Sequence, residues 1–273
     1  MRLARLASLT AAGALTLAIV APALAAGPAA LTVVVSVDDG APAMGNVLVR
    51  VLHASPDAPT VDVFVDGTKV DDLSNASFGQ ITDYVEVPAG AYDIKVCATA
   101  DNTVCVIDLT DVALPADAKV TIAAARPLAE IMHYVFVDGA APAAGNAAVR
   151  VVHLSSDTPA VDVLLQDGST EIVTNLPFPS ESGYLELPAG SYDLKVCANA
   201  DNTVCPLDPG ALALEAGKTY SVFAVGSLAA TVAMPPTDTE TGSNFAILLF
   251  AGVAVLGLGL GMGLRMAPVR IRR

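Results

Sequence analysis

Arg50, His53, Ser55, Asp57 and Asp62 fall within one short stretch, RVLHASPDAPTVDV (Arg50 to Val63). The same types return at Arg150, His153, Ser155, Asp157 and Asp162 in RVVHLSSDTPAVDV. An imidazole beside two carboxylates could move protons or hold a metal ion. One histidine per stretch is a thin ligand set, however, and Ser55 and Ser155 lie in a turn context without the G-x-S-x-G elbow of a nucleophilic serine. The plainer alternative is a histidine at the core's edge. It would share the face of Val49 and Val51 and fix the Ser55-Pro56-Asp57 turn by bonding to loop backbone or to Asp57. Arg50 and Asp62 lie opposite their strands' inward valines. If those strands pair, an ion pair on the outer, wet face would be worth under ~1 kcal/mol.

The cysteines make a second constellation, Cys97 with Cys105 and Cys197 with Cys205, each C-x7-C. An even count in an exported chain suggests disulfides, and the repetition favours pairing within each copy. Cys97 shares the parity of Asp93 and Lys95, opposite Tyr92, Ile94 and Val96, so a solvent-facing clip across the hairpin at Asn102 is expected. Chain entropy gives about 2.6 kcal/mol for such a loop. A zinc site is the rival, but zinc pairs prefer tighter spacing.

These residues sit inside a longer repeat. DYVEVPAGAYDIKVCATADNTVC (Asp83 to Cys105) reappears as GYLELPAGSYDLKVCANADNTVC (Gly183 to Cys205), offset by one hundred residues. Tyr134 to Val137 and the following Asp138-Gly139 mirror Leu31 to Val37 and the turn after them. A unit of this length is domain-sized rather than a solenoid repeat. The pattern R-V-x-H-x-S-x-D-x-P-x-V-D-V, with a D-G turn and a later L/V-P-A-G-x-Y, resembles the domain-of-unknown-function family numbered 4397. The resemblance covers roughly Asn46 to Asp138 and Asn146 to Met234. It implies secreted or surface-attached bacterial proteins with an all-β domain, and no established activity. The second copy departs at Ser156 and Leu154, where the first has Pro56 and Ala54.

Strands must position these groups. Val47, Val49 and Val51, then Val61, Val63 and Val65, then Tyr92, Ile94 and Val96 recur with period two, the pattern of half-buried strands. Turn signals at Asp66-Gly67, Pro88-Ala89-Gly90 and Asp101-Asn102 separate them. Seven or eight short strands per copy argue for an immunoglobulin-like sandwich. The absence of Trp and the different cysteine pattern argue against true immunoglobulin homology.

The ends carry an address rather than a fold. Arg2 and Arg5, the apolar run Leu9 to Val20 and Ala23-Leu24-Ala25 read as a secretory signal peptide cut after Ala25 or Ala26. Residues 245–264, FAILLFAGVAVLGLGLGMGL, carry no charge and would span ~30 Å as a helix. Arg265, Arg270, Arg272 and Arg273 follow and favour a cytoplasmic tail. Gly257, Gly259, Gly261 and Gly263 give two overlapping G-x-x-x-G pairs that could bring two such helices together. Met234-Pro235-Pro236-Thr237-Asp238 lacks the Leu and Gly of a sortase signal, leaving cell-wall attachment as the minority alternative.

Without these ends, eight basic residues stand against 28 acidic ones, a net charge of −20. That charge repels nucleic acid and anionic headgroups, and keeps the chain soluble outside a cell. The pairs Asp38-Asp39 and Asp71-Asp72 could attract calcium, though no EF-hand loop is present. No Gly-rich phosphate loop follows a strand and opens a helix, which argues against nucleotide binding.

The sequence therefore predicts an all-β chain of two tandem immunoglobulin-like β-sandwich domains plus a C-terminal transmembrane helix. Its expected segments are a signal peptide at 1–25, sandwiches at 27–138 and 139–234, a linker at 235–244, the span at 245–264 and a basic cytoplasmic tail at 265–273. The expected role is a membrane-anchored, non-enzymatic surface protein without cofactor or metal. Its modules would bind an extracellular glycan, a protein or an envelope component. The alternative is an extracellular hydrolase or metal-dependent enzyme using the His53 and His153 regions.

Overall fold

A computed structural model describes residues 27–139, 141–165, 170–199 and 201–229. The expected signal peptide, membrane span and tail lie outside them, as does the linker before the span. No helix among the described residues is long and apolar enough to cross a membrane.

The described chain is all-β. It opens with β1 (Thr32–Val37). The first repeat continues with β2 (Asn46–Ala54), β3 (Val61–Val65), β4 (Thr68–Lys69), β5 (Val85–Pro88), β6 (Gly90–Ala98), β7 (Asp101–Leu114), β8 (Ala118–Ala125) and β9 (Met132–Asp138). The second contains β10 (Asn146–His153), β11 (Val161–Leu165), β12 (Glu171–Leu176), β13 (Ser180–Glu181), β14 (Leu185–Pro188), β15 (Gly190–Ala198), β16 (Leu207–Leu214) and β17 (Thr219–Val225). Single 3₁₀ turns stand at Asp71–Leu73 and Leu128–Glu130.

Each repeat faces one sheet against another. In the first, the sheet β5-β2-β8-β9 lies over β4-β3-β6-β7. Val49, Val51, Val63, Ile94, Val96 and Ile122 meet in one core between them. The second repeats this with β12-β11-β15-β16 and a sheet containing β10, β13, β14 and β17. Period two puts alternate side chains into these cores, as the sequence leads one to expect.

The edge strands are exchanged. β9 pairs antiparallel with β8, His133 opposite Ala124 and Val137 opposite Val120. β1 pairs antiparallel with β17 in the equivalent register, Val33 opposite Ala224 and Val37 opposite Tyr220. Thus the first strand of the chain completes the second repeat's sheet. The expected placement of residues 27–138 in one sandwich is corrected by this pairing. Counted by the hundred-residue period, β1 opens the first unit and β9 the second, and each completes a sheet of the other unit. The N-terminal segment also passes so close to Gly226 (φ +101°) that a Cβ there would lie 2.3 Å from the carbonyl oxygen of Ala30.

The remaining face of β2 and β8 was expected to be wet, and it is not. Leu52, Ala54, Ala123, Ala125 and Phe136 pack against Val152, Leu154, Phe223 and Val225 of the other repeat, forming a third core. Central strands such as β17 are therefore buried along their whole length. Strands covered on both faces read as almost continuous apolar runs.

This topology predicts that removing residues 27–38 strips β17 of its edge partner. The shortened protein should melt at least ~8 °C lower, because the deletion also takes Asp38 from the buried Arg50, a loss of ~3–5 kcal/mol. A synthetic β1 peptide added in trans should recover part of the loss by strand addition. Differential scanning calorimetry with and without peptide checks both.

Candidate functional site

The third core closes around an ionic cluster that neither repeat possesses alone. Arg50 of β2 and Arg150 of β10 are 2 % and 0 % exposed. Arg50 pairs with Asp38 at the end of the β1 segment, and Arg150 pairs with Asp138 at the end of β9. The Arg50 guanidinium also lies 3.7 Å from Asp138. Its Nε donates to Thr121 (2.8 Å), and the Arg150 Nε donates to Ser221 (2.7 Å).

The carboxylates are satisfied reciprocally. Asp138 accepts from Tyr84 (2.5 Å) and Thr121 (2.7 Å) of the first repeat. Asp38 accepts from Tyr184 (2.9 Å) and Ser221 (2.6 Å) of the second. Each guanidinium lies over a tyrosine ring, Arg50 at 4.5 Å from Tyr84 and Arg150 at 5.0 Å from Tyr184. Burial and the neighbouring Asp138 carboxylate push the Tyr84 hydroxyl far above its ordinary range. Burial does the same to Tyr184. Burial alone would lower the pKa of Arg150, but Asp138 outweighs it and keeps the guanidinium charged. Two cations facing two anions, with further donors and acceptors engaged, meet the requirement for burying charge.

The expected Arg50–Asp62 pair does not form, because β2 and β3 belong to different sheets. Asp62 instead sits 1 % exposed on the outer face of the other sheet. It accepts from Lys69 (2.8 Å), the Asn75 amide (3.0 Å) and Thr99 (3.0 Å). Burial would raise its pKa, but these bonds outweigh it and hold the carboxyl below its usual range. Asp162 receives the Asn175 amide (2.6 Å) and the Asn199 side chain (3.0 Å). Both aspartates therefore tie outer-sheet loops to the strand that carries them.

His53 and His153 are fully buried. Their Nε2 atoms donate to the carbonyls of Pro59 (3.0 Å) and Pro159 (3.1 Å), fixing the turn that follows each strand. Loop backbone was one of the two expected partners; Asp57 was the other, and it looks elsewhere. It accepts the Leu128 amide (2.6 Å) at the start of a 3₁₀ turn. Asp157 accepts the amides of Leu228 (2.9 Å) and Ala229 (3.0 Å) and the Ser227 hydroxyl (2.7 Å). Motif histidine and motif aspartate thus hold two separate loops and do not converge on a shared ligand position.

The repeats differ beside the histidine. Ser155 hydrogen-bonds with Thr158 (2.6 Å) and Asp157 (3.1 Å), and its amide donates to His153 Nδ1 (3.3 Å). In the first repeat the Ser55 Oγ and His53 Nδ1 are buried with no protein partner. Ala58 stands where the second repeat has Thr158.

Both disulfides form within their hairpins, Cys97–Cys105 and Cys197–Cys205, each with a Cα–Cα distance of 3.8 Å. They lie on the outer sheet face, but the expectation of a solvent-facing Cys97 is corrected. Cys97 and Cys197 are buried, each paired across the sheet with Asp62 or Asp162, while Cys105 is exposed. Among the described residues no group of three or more His, Cys, Asp and Glu is arranged to hold a metal ion. Of the pairs considered for calcium, Asp38 is taken by Arg50 and Asp39 by Lys218 (2.5 Å).

The fold and its cluster define a tandem all-β repeat protein whose halves are joined through exchanged strands. The chain belongs to the family described as Domain of unknown function (DUF4397), which it matches over residues 47–164 and 164–246. No curated protein matches it.

Arg150→Ala strands Asp138 in the interior and should cost about 3–5 kcal/mol in urea unfolding. Glu181→Gln, at the half-exposed partner of Arg150, should cost under ~1 kcal/mol. Ala58→Thr should supply the missing Ser55 partner and add about 1 kcal/mol.

The pH dependence has a defined sign. Burial lowers both imidazole pKa values below 6.5 in the fold. The unfolded chain therefore takes up protons first, and stability falls as pH drops below ~6.5. Asp157 carries competing influences: burial raises its pKa, but the Ala229, Ser227 and Leu228 bonds prevail and hold it below 3.8. It and Asp62 add a further loss as pH falls through about 4. A series of melting temperatures from pH 8 to 3 should show both limbs. His53→Asn with His153→Asn should flatten the upper one.

Proposed function

We propose that this protein is a membrane-anchored, non-enzymatic component of a bacterial cell surface, presenting its β-sandwich pair for binding, adhesion or envelope structure. One observation carries the non-enzymatic reading. In both copies the motif's arginine, histidine and aspartates are already bonded within the fold and point to different loops. A hydrolytic centre would need them to converge on one accessible atom.

The immunoglobulin-like reading of each repeat draws support from two facing sheets of short strands around one core. The C-x7-C clip within one sheet sets these sandwiches apart from antibody domains. The address rests on the sequence ends: an apolar leader with a small-residue cleavage signal, and a twenty-residue apolar stretch followed by arginines. In this reading the repeats lie outside, the basic tail lies inside, and the glycine pairs of the span offer a face for helix dimerisation. The large negative charge suits a soluble, extended surface and disfavours nucleic acid as a partner.

Protease shaving of intact cells tests the address. An epitope within residues 27–234 should be digested while one on residues 265–273 stays protected; the opposite pattern contradicts the topology. A glycan and envelope-component array probed with residues 27–240, with and without calcium, tests the binding role. Loss of a hydrolytic activity on replacing His53 and His153, with the fold intact, would favour the enzyme instead.

A further inference from the structure

The two repeats carry the same lysine and aspartate on their outer sheets and use them differently. In the first, Lys95 of β6 lies directly opposite Asp108 of β7, and its amine donates to that carboxylate at 2.8 Å. In the second, Lys195 of β15 and Asp208 of β16 form no ion pair. Both instead line a groove of about 340 Å³, together with Asn202 and Thr203 of the clipped hairpin.

A displaced β-bulge separates the pair. In the first repeat the register passes from Tyr92 opposite Val112 to Ile94 opposite Leu109, so two residues, Thr110 and Asp111, face Asp93. In the second it passes from Leu194 opposite Gly210 to Val196 opposite Leu207, so Asp208 and Pro209 together face Lys195. Pro209 stands where the first repeat has Leu109, and it has no N–H to give the ladder. Gly210 (φ +74°) supplies the left-handed residue here, as Asp111 (φ +54°) does in the first repeat. Bulges re-aim side chains. The Asp208 carboxylate turns to the Gly210 amide (3.1 Å), and the space it leaves beside Lys195 is the groove.

The groups around that space set the chemistry of what fits it. Lys195 is half-buried and has no carboxylate partner among the described residues. The Asn202 amide nitrogen already donates to Glu171, and the Thr203 hydroxyl to Asp201. An amide oxygen, a hydroxyl lone pair and the second Asp208 oxygen are left as acceptors. One cation and three acceptors suit a molecule with an anionic end and an ammonium end, the latter donating three hydrogen bonds. Leu164 and the Cys197–Cys205 disulfide add an apolar lining. A zwitterion carries no net charge, so the acidic surface does not repel it. The groove lies near the lower end of the volumes of small-molecule sites, which suits a molecule of amino-acid size.

We propose that the second repeat binds a free α-amino acid, its carboxylate on Lys195 and its ammonium on Asp208. This goes beyond the surface role above and does not depend on where the protein resides.

The test is a titration of residues 27–234 with L-alanine, followed through backbone amide chemical shifts by nuclear magnetic resonance. Saturable shifts at Lys195, Asn202, Thr203 and Asp208 support the site. N-acetylalanine, which lacks the ammonium, and alaninamide, which lacks the carboxylate, should each bind at least about tenfold more weakly. Lys195→Gln and Asp208→Asn, each with an unchanged melting temperature, should weaken alanine binding by a similar factor. Lys95→Gln, at the paired lysine of the first repeat, should leave it unchanged. Should a variant misfold, the two analogues test the same contacts on the unaltered protein. No saturable shift at the groove with alanine, equal binding of either analogue, or undiminished binding by the folded variants overturns the proposal.

Discussion

Two buried arginines govern this architecture. A guanidinium taken out of water is tolerable only with a charge partner and with its N–H groups engaged. Arg50 and Arg150 find those partners at the ends of strands that precede their own repeats, and the partner carboxylates are completed by tyrosine and hydroxyl groups from the opposite repeat. The cluster therefore stabilises the edge strands only when both repeats are folded together. A half on its own would keep a charged residue on an apolar face with part of its bonding missing.

The exchanged strands and the third core follow from that constraint. Once β1 and β9 lie at the edges of facing sheets, Phe136, Phe223, Leu52 and Leu154 close the space around the charges. Small residues, Ala123 and Ala125, bring the two faces close. Ala123 and Ala125 on one face of β8 make sense as a packing surface rather than as an exposed one.

Much of this was legible in the residues. Period two located the strands and the side of each that enters a sandwich core, while His53, expected at a core's edge, is fully buried. The cysteine spacing and the repeat pointed to clips within hairpins, which the structure contains. The resemblance of the opening motif to family 4397 agrees with the family match. Other features were hidden for physical reasons. The likeness of Leu31–Val37 to Tyr134–Val137 was visible, yet a strand's sequence does not say which sheet edge will accept it. Arg50 was read as facing water because alternation reports only that a residue lies opposite the core; a second apolar layer beyond it depends on another hundred residues. Asp62 and its cross-strand neighbour Cys97 were misplaced similarly, since alternation does not report that Lys69, Asn75 and Thr99 close over that face.

The histidine stretch shows a motif of catalytic residue types whose side chains are engaged within the fold. His53 of β2 holds the loop at Pro59, Asp57 holds the 3₁₀ turn at Leu128, and Asp62 of β3 holds groups at Lys69, Asn75 and Thr99. Ala58 marks the point where the first copy lacks a hydroxyl partner that the second has.

The most direct test is equilibrium urea unfolding of residues 27–234, followed at once by far-ultraviolet circular dichroism and by tyrosine fluorescence. Two repeats that share edge strands and one buried ionic cluster should unfold in a single transition, with the two probes superimposed and an m-value appropriate to the whole segment. Two separable transitions, each with about half that m-value, would mean that the repeats fold independently, and the shared cluster would not be what holds the molecule together.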